Sequence, residues 1–310
     1  MEIANIDAIE FNIGDKKHIR VYYQTKDKKI RETSYESDNG CTVHIRLYYL
    51  NDARQICECE GEHSLTGTNW RSEAPLQLNK QTNVADGSQL AVARPDRDDA
   101  TLRVFYQEAK LNNKSLIREV KFRKNQNKWM FQSTSIDGAV DVTRFSAVSA
   151  GKTGTVRIYY QGANRLLTVT LWNADRGDWE QFKTVNVDNK LAANAPISAV
   201  AWYASDWYSP DDLRVRVYTI LESKPKKIAE LARNGEDWED PTDVADIQDV
   251  TPDKSSIGVC REKTLNDGAP IFVFFKPRSS FIDMAYPDIE PALAASVKDS
   301  YLPRGIPTSL

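Results

Sequence analysis

A short pattern of alternating apolar and polar or aromatic positions recurs along the chain. Strong copies span residues 19–23, 45–49, 102–106 and 156–160, and weaker copies span residues 215–219 and 271–275. Strict alternation of β-branched and aromatic residues predicts a β-strand in each copy. In each strong copy, an arginine and the aromatic residue two positions later share one face of the strand. The apolar residue before the arginine and the last aromatic share the other face.

The copies belong to a longer repeat. Most are followed by a turn, a second strand that carries an acidic residue, a tryptophan and then a short apolar strand. From Arg46 the equivalent positions follow at Arg103, Arg157, Arg216 and Phe272, which are 54 to 59 residues apart. Four strands per unit at such a period are typical of a β-propeller blade. We therefore predict an all-β protein, a β-propeller of four-stranded antiparallel blades.

The first interval is shorter than the others. Arg20 and Arg46 are only 26 residues apart, which is too short for a full blade. Either the first two hairpins share a shortened region, or the N-terminal strands complete a blade begun at the C-terminus. Six blades are preferred over five. The chain contains no linker, so we predict one domain over residues 1–310, with repeats that start near residues 18, 44, 101, 155, 214 and 270.

Composition and charge exclude several classes of function. Hydrophobic residues make up 41% of the 310 residues and the net charge is −3, a balance that gives no reason to expect binding to nucleic acid or insertion into a membrane. No signal peptide is recognisable, so we expect a protein that is cytoplasmic or released without one. The four cysteines and three histidines form no metal-binding pattern, so we expect no metal and no cofactor.

An arginine and a glutamate recur together in four hairpins. The turn between them varies in length while the pair is kept, so we expect the two side chains to lie opposite each other. A cross-strand ion pair would contribute only about 0.2–1 kcal/mol, which does not explain the recurrence. A guanidinium donates hydrogen bonds and a carboxylate accepts them, so together they suit the neighbouring hydroxyls of a sugar. The pairs are Arg20 with Glu32, Arg46 with Glu58, Arg103 with Glu119, and Arg216 with Glu230.

The segments 19–24, 30–32 and 156–161 resemble the repeats of the fungal fucose-specific lectins of the Aleuria aurantia type. The resemblance covers nearly the whole chain. It implies a ring of six blades that binds fucose between neighbouring blades without a metal and without enzymatic activity. Arginine and glutamate would come from one blade, and an aromatic from the next blade would pack on the sugar. The implied partners are fucose-containing glycans and glycoproteins, bound multivalently.

The resemblance assigns an aromatic residue to each pair. Trp70 would serve Arg20 and Glu32. Trp129, with Phe122 as a further candidate, would serve Arg46 and Glu58. The remaining assignments are Trp172 or Trp179 for Arg103 and Glu119, and an aromatic near Tyr286 for Arg216 and Glu230.

Two repeats depart from the family pattern. After Arg157 the expected acidic position falls in Leu167-Thr168-Val169, which contains no carboxylate. In the last repeat Phe272 replaces the arginine, and Asp283 lies one position away from where the acid is expected. We predict that the Arg157 pocket binds weakly or not at all, and that the last pocket does not bind fucose in the family manner.

Two other functions remain open. A glycosidase of the sialidase type is one, since residues 173–179 resemble an Asp-box turn and residues 234–238 do so more weakly. Such an enzyme needs two carboxylates at one centre, whereas the acids here are spread one per repeat. The other is a propeller that binds proteins and no sugar. The sequence leaves both a monomer and a homodimer open.

Overall fold

The structure is a computed structural model of the chain. It describes residues 6–13, 16–24, 30–36, 43–64, 67–70, 74–78, 82–95, 102–111, 114–123, 126–150, 154–173, 175–180, 183–205, 209–224, 227–244, 250–252, 255–261, 269, 271–275 and 283–285.

The described residues are organised almost entirely as β-strands. One short 3-10 helix, Pro210–Asp212, precedes β18. The strands in chain order are β1 (Ile6–Ile13), β2 (Lys16–Gln24), β3 (Ile30–Glu36), β4 (Val43–Leu50), β5 (Ile56–Ser64), β6 (Gly67–Trp70), β7 (Ala74–Pro75), β8 (Leu90–Ala93), β9 (Leu102–Leu111), β10 (Lys114–Arg123), β11 (Lys128–Ile136), β12 (Phe145–Ser149), β13 (Val156–Gln161), β14 (Leu166–Asn173), β15 (Asp178–Trp179), β16 (Lys183–Lys190), β17 (Ser198–Tyr203), β18 (Leu213–Thr219), β19 (Ala229–Asn234), β20 (Asp237–Trp238), β21 (Thr242–Asp243), β22 (Ile257–Arg261), β23 (Ile271–Phe275) and β24 (Asp283–Ala285).

In the described part of the chain these strands form six antiparallel sheets. Sheet I has the order β1-β2-β3, sheet II has β4-β5-β6 with β7 on β5, and sheet III has β8-β9-β10-β11. Sheet IV has β12-β13-β14-β15 with β16 on β14, sheet V has β17-β18-β19-β20 with β21 on β19, and sheet VI has β22-β23-β24. Each copy of the repeated pattern lies in a different sheet.

The short first interval has a simple structural basis. In sheets III, IV and V the arginine-bearing strand is second in order, whereas in sheet II it is the first strand, β4. Sheet I contains three strands among the described residues, and β3 ends only a few residues before β4 begins. The N-terminal strands pair with one another in sheet I. The choice between the two alternatives stays a prediction, because residues 37–42 and 286–310 lie outside the described part of the chain.

The chain divides into two compact units. One comprises Met1–Ser37 with Asp188–Leu310 and holds sheets I, V and VI; the other comprises Asp38–Val187 and holds sheets II, III and IV. Strand β16 runs across the boundary between them. The single domain over residues 1–310 stays a prediction.

Sheet III is buried on both faces within the second unit. Val104 and Tyr106 belong to a core cluster that includes Ile56 of sheet II. Phe105 and its neighbours on the other face belong to a cluster with residues of sheet IV, among them Ile158. Because successive residues of a strand point to opposite faces, β9 contributes to both cores. The arginine-bearing face of sheet II therefore packs against sheet III, and that of sheet III packs against sheet IV.

Within the described residues, no helix has the length and apolar character needed to cross a lipid bilayer. Those residues also contain no cluster of three or more His, Cys, Asp or Glu side chains that could hold a metal ion.

Candidate functional site

The predicted arginine and glutamate occupy the same relative register positions in each hairpin. In all four hairpins the glutamate stands directly opposite the aromatic residue that follows the arginine by two positions. The arginine is therefore its diagonal neighbour, within reach of a long side chain. The opposed pairs are Tyr22 with Glu32, Tyr48 with Glu58, Phe105 with Glu119, and Tyr218 with Glu230.

The prediction that arginine and glutamate stand directly opposite each other is therefore wrong by two residues. Strands β4 and β5 pair as far as Leu50 and Ile56, so the hairpin is centred on Ala53 rather than on Asp52. A shift of two residues keeps every side chain on its own face, because the side-chain period of a strand is two.

Arg46 and Glu58 form an ion pair that is accessible to solvent. Arg46 Nη1 donates to Glu58 Oε1 at 2.8 Å, and Arg46 Nη2 lies 3.4 Å from Glu60 Oε1. The Arg46 and Glu58 side chains are 33% and 17% exposed, respectively. The pair thus retains donor and acceptor groups that a ligand could reach.

The next sheet supplies an aromatic wall to this pair. Trp129 of β11 donates its indole Nε1 hydrogen to Glu58 Oε2 at 3.2 Å and meets the Tyr48 ring edge-on at a centroid distance of 5.5 Å. The Phe122 ring of β10 packs on Trp129, and its centroid lies 5.6 Å from Arg46 Cζ. The structure therefore brings together Arg46, Glu58, Phe122 and Trp129, all four of which the sequence had grouped.

Electrostatics at this site favour its charged form. Partial burial would lower the pKa of Arg46, but Glu58, Tyr48 and Glu60 together outweigh burial and raise that pKa. Burial, with the nearby negative charge of Glu58, also raises the pKa of Tyr48 well above its ordinary value. The site thus presents a permanent cation, a carboxylate and a neutral phenol.

Arg103 and Glu119 form an equivalent pair that is almost completely buried. Arg103 Nη1 donates to Glu119 Oε1 at 2.9 Å, and the two side chains are 0% and 4% exposed. The ring of Trp172 lies over the guanidinium, with Arg103 Cζ 4.2 Å from its centroid. Trp179 packs edge-on against both Trp172 and Phe105. Both tryptophans named from the sequence are present, and Trp172 covers the arginine.

The buried carboxylate has an altered proton affinity. Burial raises the pKa of Glu119, because its charged form has lost most of its contact with water. Arg103 and Lys121, together with a hydrogen bond from the Trp179 side chain, act in the opposite direction without cancelling the rise. The Arg103 site is closed to solvent, whereas the Arg46 site is open to it.

Arg216 and Glu230 come together in sheet V of the other unit. Arg216 Nε lies 3.3 Å from Glu230 Oε1, and the side chains are 16% and 12% exposed. Tyr218 donates its hydroxyl hydrogen to Glu230 Oε2 at 2.7 Å. The aromatic ring near Arg216 is that of Trp202 in β17, with Arg216 Cζ 5.4 Å from its centroid. Tyr286, the aromatic named from the sequence, lies outside the described residues.

The remaining predicted site falls on strands whose side chains are not described. Arg20 and Glu32 lie on β2 and β3 in the same register as the other pairs. Trp70 lies on β6, where it pairs with Gly61. The side chains of Arg20, Glu32 and Trp70 lie outside the described part of the chain.

The strand register shows which residue takes the place of the glutamate in each of the two repeats that depart from the family pattern. In sheet IV, Val169 stands opposite Tyr159 and so occupies the place of the glutamate. In sheet VI, Met284 stands opposite Phe274 in the register, and Asp283 stands opposite Phe275.

Several contributing residues were not assigned from the sequence. Tyr48 and Tyr218 belong to the repeated pattern as the aromatic residue two positions after the arginine, and the face that they share with it was the available signal. Glu60 is another same-face residue of β5. Trp202 lies on β17, the strand next to that of Arg216. The residue directly opposite Arg216 is Val200, and Trp202 follows Val200 by two positions. An aromatic search confined to the following repeat could not find it.

A sequence profile of the family described as fungal fucose-specific lectin matches residues 41–260. The chain belongs to this family. That assignment confirms the resemblance drawn from the repeats. The fucose-specific lectin g276 of Arthrobotrys oligospora is 28% identical over 169 residues, which are 52% of this chain. The matched segment covers 40% of that lectin's length.

Solved structures of lectins show the same fold. The Aleuria aurantia lectin, a six-bladed β-propeller, is 19% identical with a TM-score of 0.63, covering 91% of this chain and 93% of its own. A variant of the same lectin has been solved in complex with α-methyl-L-fucoside. AofleA from Arthrobotrys oligospora is 17% identical with a TM-score of 0.66, covering 93% of this chain and 88% of its own. The predicted β-propeller fold is thereby confirmed, and the preferred six blades agree with the six sheets of the described residues.

Proposed function

We propose that the protein is a carbohydrate-binding lectin that recognises fucosylated glycans at pockets built from arginine, glutamate and aromatic side chains. The observation that carries the proposal is the accessible Arg46–Glu58 pair beside Trp129 and Phe122. Membership of the fungal fucose-specific lectin family, and the fucoside bound by the Aleuria aurantia lectin, support the choice of sugar.

The chemistry of the Arg46 site suits a deoxy sugar. The guanidinium donates to hydroxyl oxygens and the Glu58 carboxylate accepts hydroxyl hydrogens, so adjacent hydroxyls can be held at both ends. Phe122, which is half-buried, offers an apolar surface for the C–H face and the methyl group of fucose, whereas Trp129 is itself buried. Because Trp129 donates to Glu58, the aromatic wall also holds the carboxylate in place.

The three described pairs differ in their access to solvent, and this difference predicts the order of their affinities. Arg46 and Glu58 are open, Arg216 and Glu230 are partly covered, and Arg103 and Glu119 are covered by Trp172. A sugar that reaches Arg103 has to displace Trp172. We therefore expect the tightest binding at Arg46 and the weakest at Arg103.

The proposal includes the absence of enzymatic activity. A retaining or inverting glycosidase sets two carboxylates about 5–9.5 Å apart across one scissile bond. Here each of the three described glutamates pairs with its own arginine, in sheets II, III and V. Repetition of one cation and one anion is an arrangement for binding a ligand without breaking it.

The test is calorimetric titration with α-methyl-L-fucoside, preceded by chromatography on immobilised fucose and on immobilised mannose. Wild-type protein should be retained on fucose, eluted by free fucose and not retained on mannose. Arg46→Ala should lower the binding stoichiometry by one site, because charge-assisted hydrogen bonds of about 1.5–3 kcal/mol each are lost there.

Arg94→Ala is the matched control, since Arg94 is an exposed arginine of the same unit outside the described pockets. The Arg94→Ala protein should bind α-methyl-L-fucoside with the stoichiometry of the wild type. An unchanged stoichiometry in the Arg46→Ala protein would remove Arg46 from the site. Wild-type protein that passes through both columns would contradict sugar binding altogether.

A further inference from the structure

Arg157 differs from the other described arginines of the repeat, because no described residue serves as its counter-ion. Arg46, Arg103 and Arg216 each pair with a glutamate at 2.8, 2.9 and 3.3 Å. The position of that glutamate is held in sheet IV by Val169. No described residue gives Arg157 a hydrogen bond or an ion pair.

The side chain is nevertheless buried. Arg157 is 6% exposed, and its Nε and Nη1 atoms are buried without a hydrogen-bond partner among the described residues. The residues directly opposite it on the neighbouring strands are Val148 and Leu171, which offer no side-chain acceptor. A guanidinium stays protonated in proteins, so a full positive charge lies here that no described residue compensates.

Such a burial is unfavourable unless something else supplies the negative charge. An isolated charge that has lost its water is strongly destabilising, and burying a polar group without a partner adds to this. An apolar residue of similar length would fill the same space without this cost. Arg157 therefore has hydrogen-bonding capacity that no described residue uses.

We propose that Arg157 is the centre of a second class of pocket, which binds a saccharide carrying its own oxyanion. In the fucose pockets the protein supplies both the cation and the carboxylate. Here the ligand's carboxylate or sulfate would take the place of the missing glutamate and accept the two parallel hydrogen bonds that a guanidinium fork offers. A neutral sugar would leave the charge uncompensated and bind poorly. The inference rests on the proposed function only in taking the ligand to be a sugar.

The test uses the full chain and titrates it with methyl glucuronide, galactose 6-sulfate and neutral methyl glucoside, in the presence of saturating α-methyl-L-fucoside. We expect one additional site for an anionic sugar and none for the neutral one. The carboxylate and sulfate arms identify which oxyanion is preferred. Acetate and inorganic sulfate serve as probes of the oxyanion alone.

Two substitutions at Val169 separate charge from shape. Val169→Glu restores the glutamate of the other repeats and should lower affinity for the anionic sugar by more than about tenfold, since the protein's own carboxylate then occupies the guanidinium. Val169→Gln is the neutral control of equal size and should bind the anionic sugar more tightly than Val169→Glu does.

Arg157→Met provides a readout that does not depend on Val169. It should abolish binding of the anionic sugar while raising the midpoint of thermal unfolding, because a buried unpaired charge is replaced by an apolar side chain. Circular dichroism of each variant verifies folding. A lower midpoint in Arg157→Met would show that the arginine is structural and would overturn the proposal.

The outcomes distinguish this proposal from the lectin proposal. Binding of fucoside without any binding of anionic sugars would overturn the Arg157 pocket and leave the fucose sites intact. Binding of anionic sugars without any binding of fucoside would support the Arg157 pocket and overturn the fucose sites. If acetate or sulfate binds as tightly as the sugars, the pocket takes an oxyanion and not a saccharide, and the proposal is wrong.

Discussion

Glu58 and Glu60 of strand β5 lie on the same face, and Glu58 accepts hydrogen bonds from both a guanidinium and an indole. Glu58 accepts from Arg46 at 2.8 Å and from Trp129 at 3.2 Å. Glu60 stands directly opposite Arg46 in the register but lies 3.4 Å from its other nitrogen and is more exposed. Glu60, the direct neighbour, is thus the weaker partner of Arg46. Glu58, the diagonal neighbour, is the one held in position to bind a ligand.

The two glutamates provide a matched pair of substitutions. Glu58→Gln should weaken fucoside binding at this site by about tenfold or more, because the charged acceptor is lost while the shape is kept. Glu60→Gln should change the affinity less than twofold. Calorimetry on both proteins makes the comparison, and equal losses in the two variants would contradict the role given to Glu58.

The raised pKa of Glu119 predicts a pH dependence of stability. The folded protein holds the Glu119 proton more tightly than the unfolded chain, so the contribution of Glu119 to stability falls as the pH rises. The fall begins near the ordinary glutamate pKa of about 4.3 and ends above the raised folded-state pKa. Below this window the contribution is fully present.

Glu119→Gln removes this titratable carboxyl group, so the free energy of unfolding of the variant should lack this pH-dependent contribution. Urea unfolding of both proteins from pH 4 upward should show the wild type losing free energy of unfolding relative to the variant as the pH rises. A wild type that instead gains stability relative to Glu119→Gln over this window would show that Arg103 dominates and that the pKa is lowered.

At the scale of elements, the β4–β5 hairpin shows how the turn sets the position of the site. The turn is closed by a hydrogen bond from Arg54 N to Asn51 O at 2.8 Å and by one from Gln55 N to Asn51 Oδ1 at 2.9 Å. Arg54 adopts a positive φ of 58°, a backbone conformation that is costly for any residue with a Cβ.

Arg54→Gly should therefore stabilise the protein by up to about 1 kcal/mol, since glycine adopts this conformation without strain. Fucoside affinity should not change, because the register of β4 and β5 is kept. Arg94→Gly is the control: it replaces another exposed arginine, one without a positive φ, and should be neutral or destabilising. Denaturant unfolding of the two variants decides the matter, and a less stable Arg54→Gly protein would contradict the strain argument.

The sequence predicted the strands well and the register less well. Alternation located β2, β4, β9, β13, β18 and β23, because the pattern within one strand is a local property. Counting residues between Arg46 and Glu58 centred the turn one residue too early. Where a turn begins depends on how far two strands pair, and the turn residues 51–55 did not show that from composition alone.

At the scale of the whole molecule, repetition of the pocket predicts multivalent binding. Each pocket offers a small polar ligand little apolar contact, so single sites should be weak. Several sites on one chain raise the apparent affinity for clustered glycans through effective concentration.

A variant with Arg20, Arg103 and Arg216 all changed to Gln leaves the Arg46 pocket. It should bind free fucoside at that pocket as the wild type does, yet fail to agglutinate fucosylated cells. On a surface bearing sparse fucose the two proteins should behave alike; on a dense surface the variant should bind about 100-fold more weakly or worse. Agglutination by the variant at the wild-type concentration would rule out multivalency as the cause.

The sequence by itself determined the strands, the repeat and the recurrence of arginine with glutamate, because these follow from alternation and spacing along a single segment. It also exposed the missing acid after Arg157. Only the tertiary structure decided that Trp172 covers Arg103, that Trp202 approaches Arg216 and that Arg46 remains open. It also decided that Arg157 is buried without a counter-ion among the described residues. The reason is physical: access and partners depend on how the face of one strand packs against others, and such contacts join residues far apart in the chain.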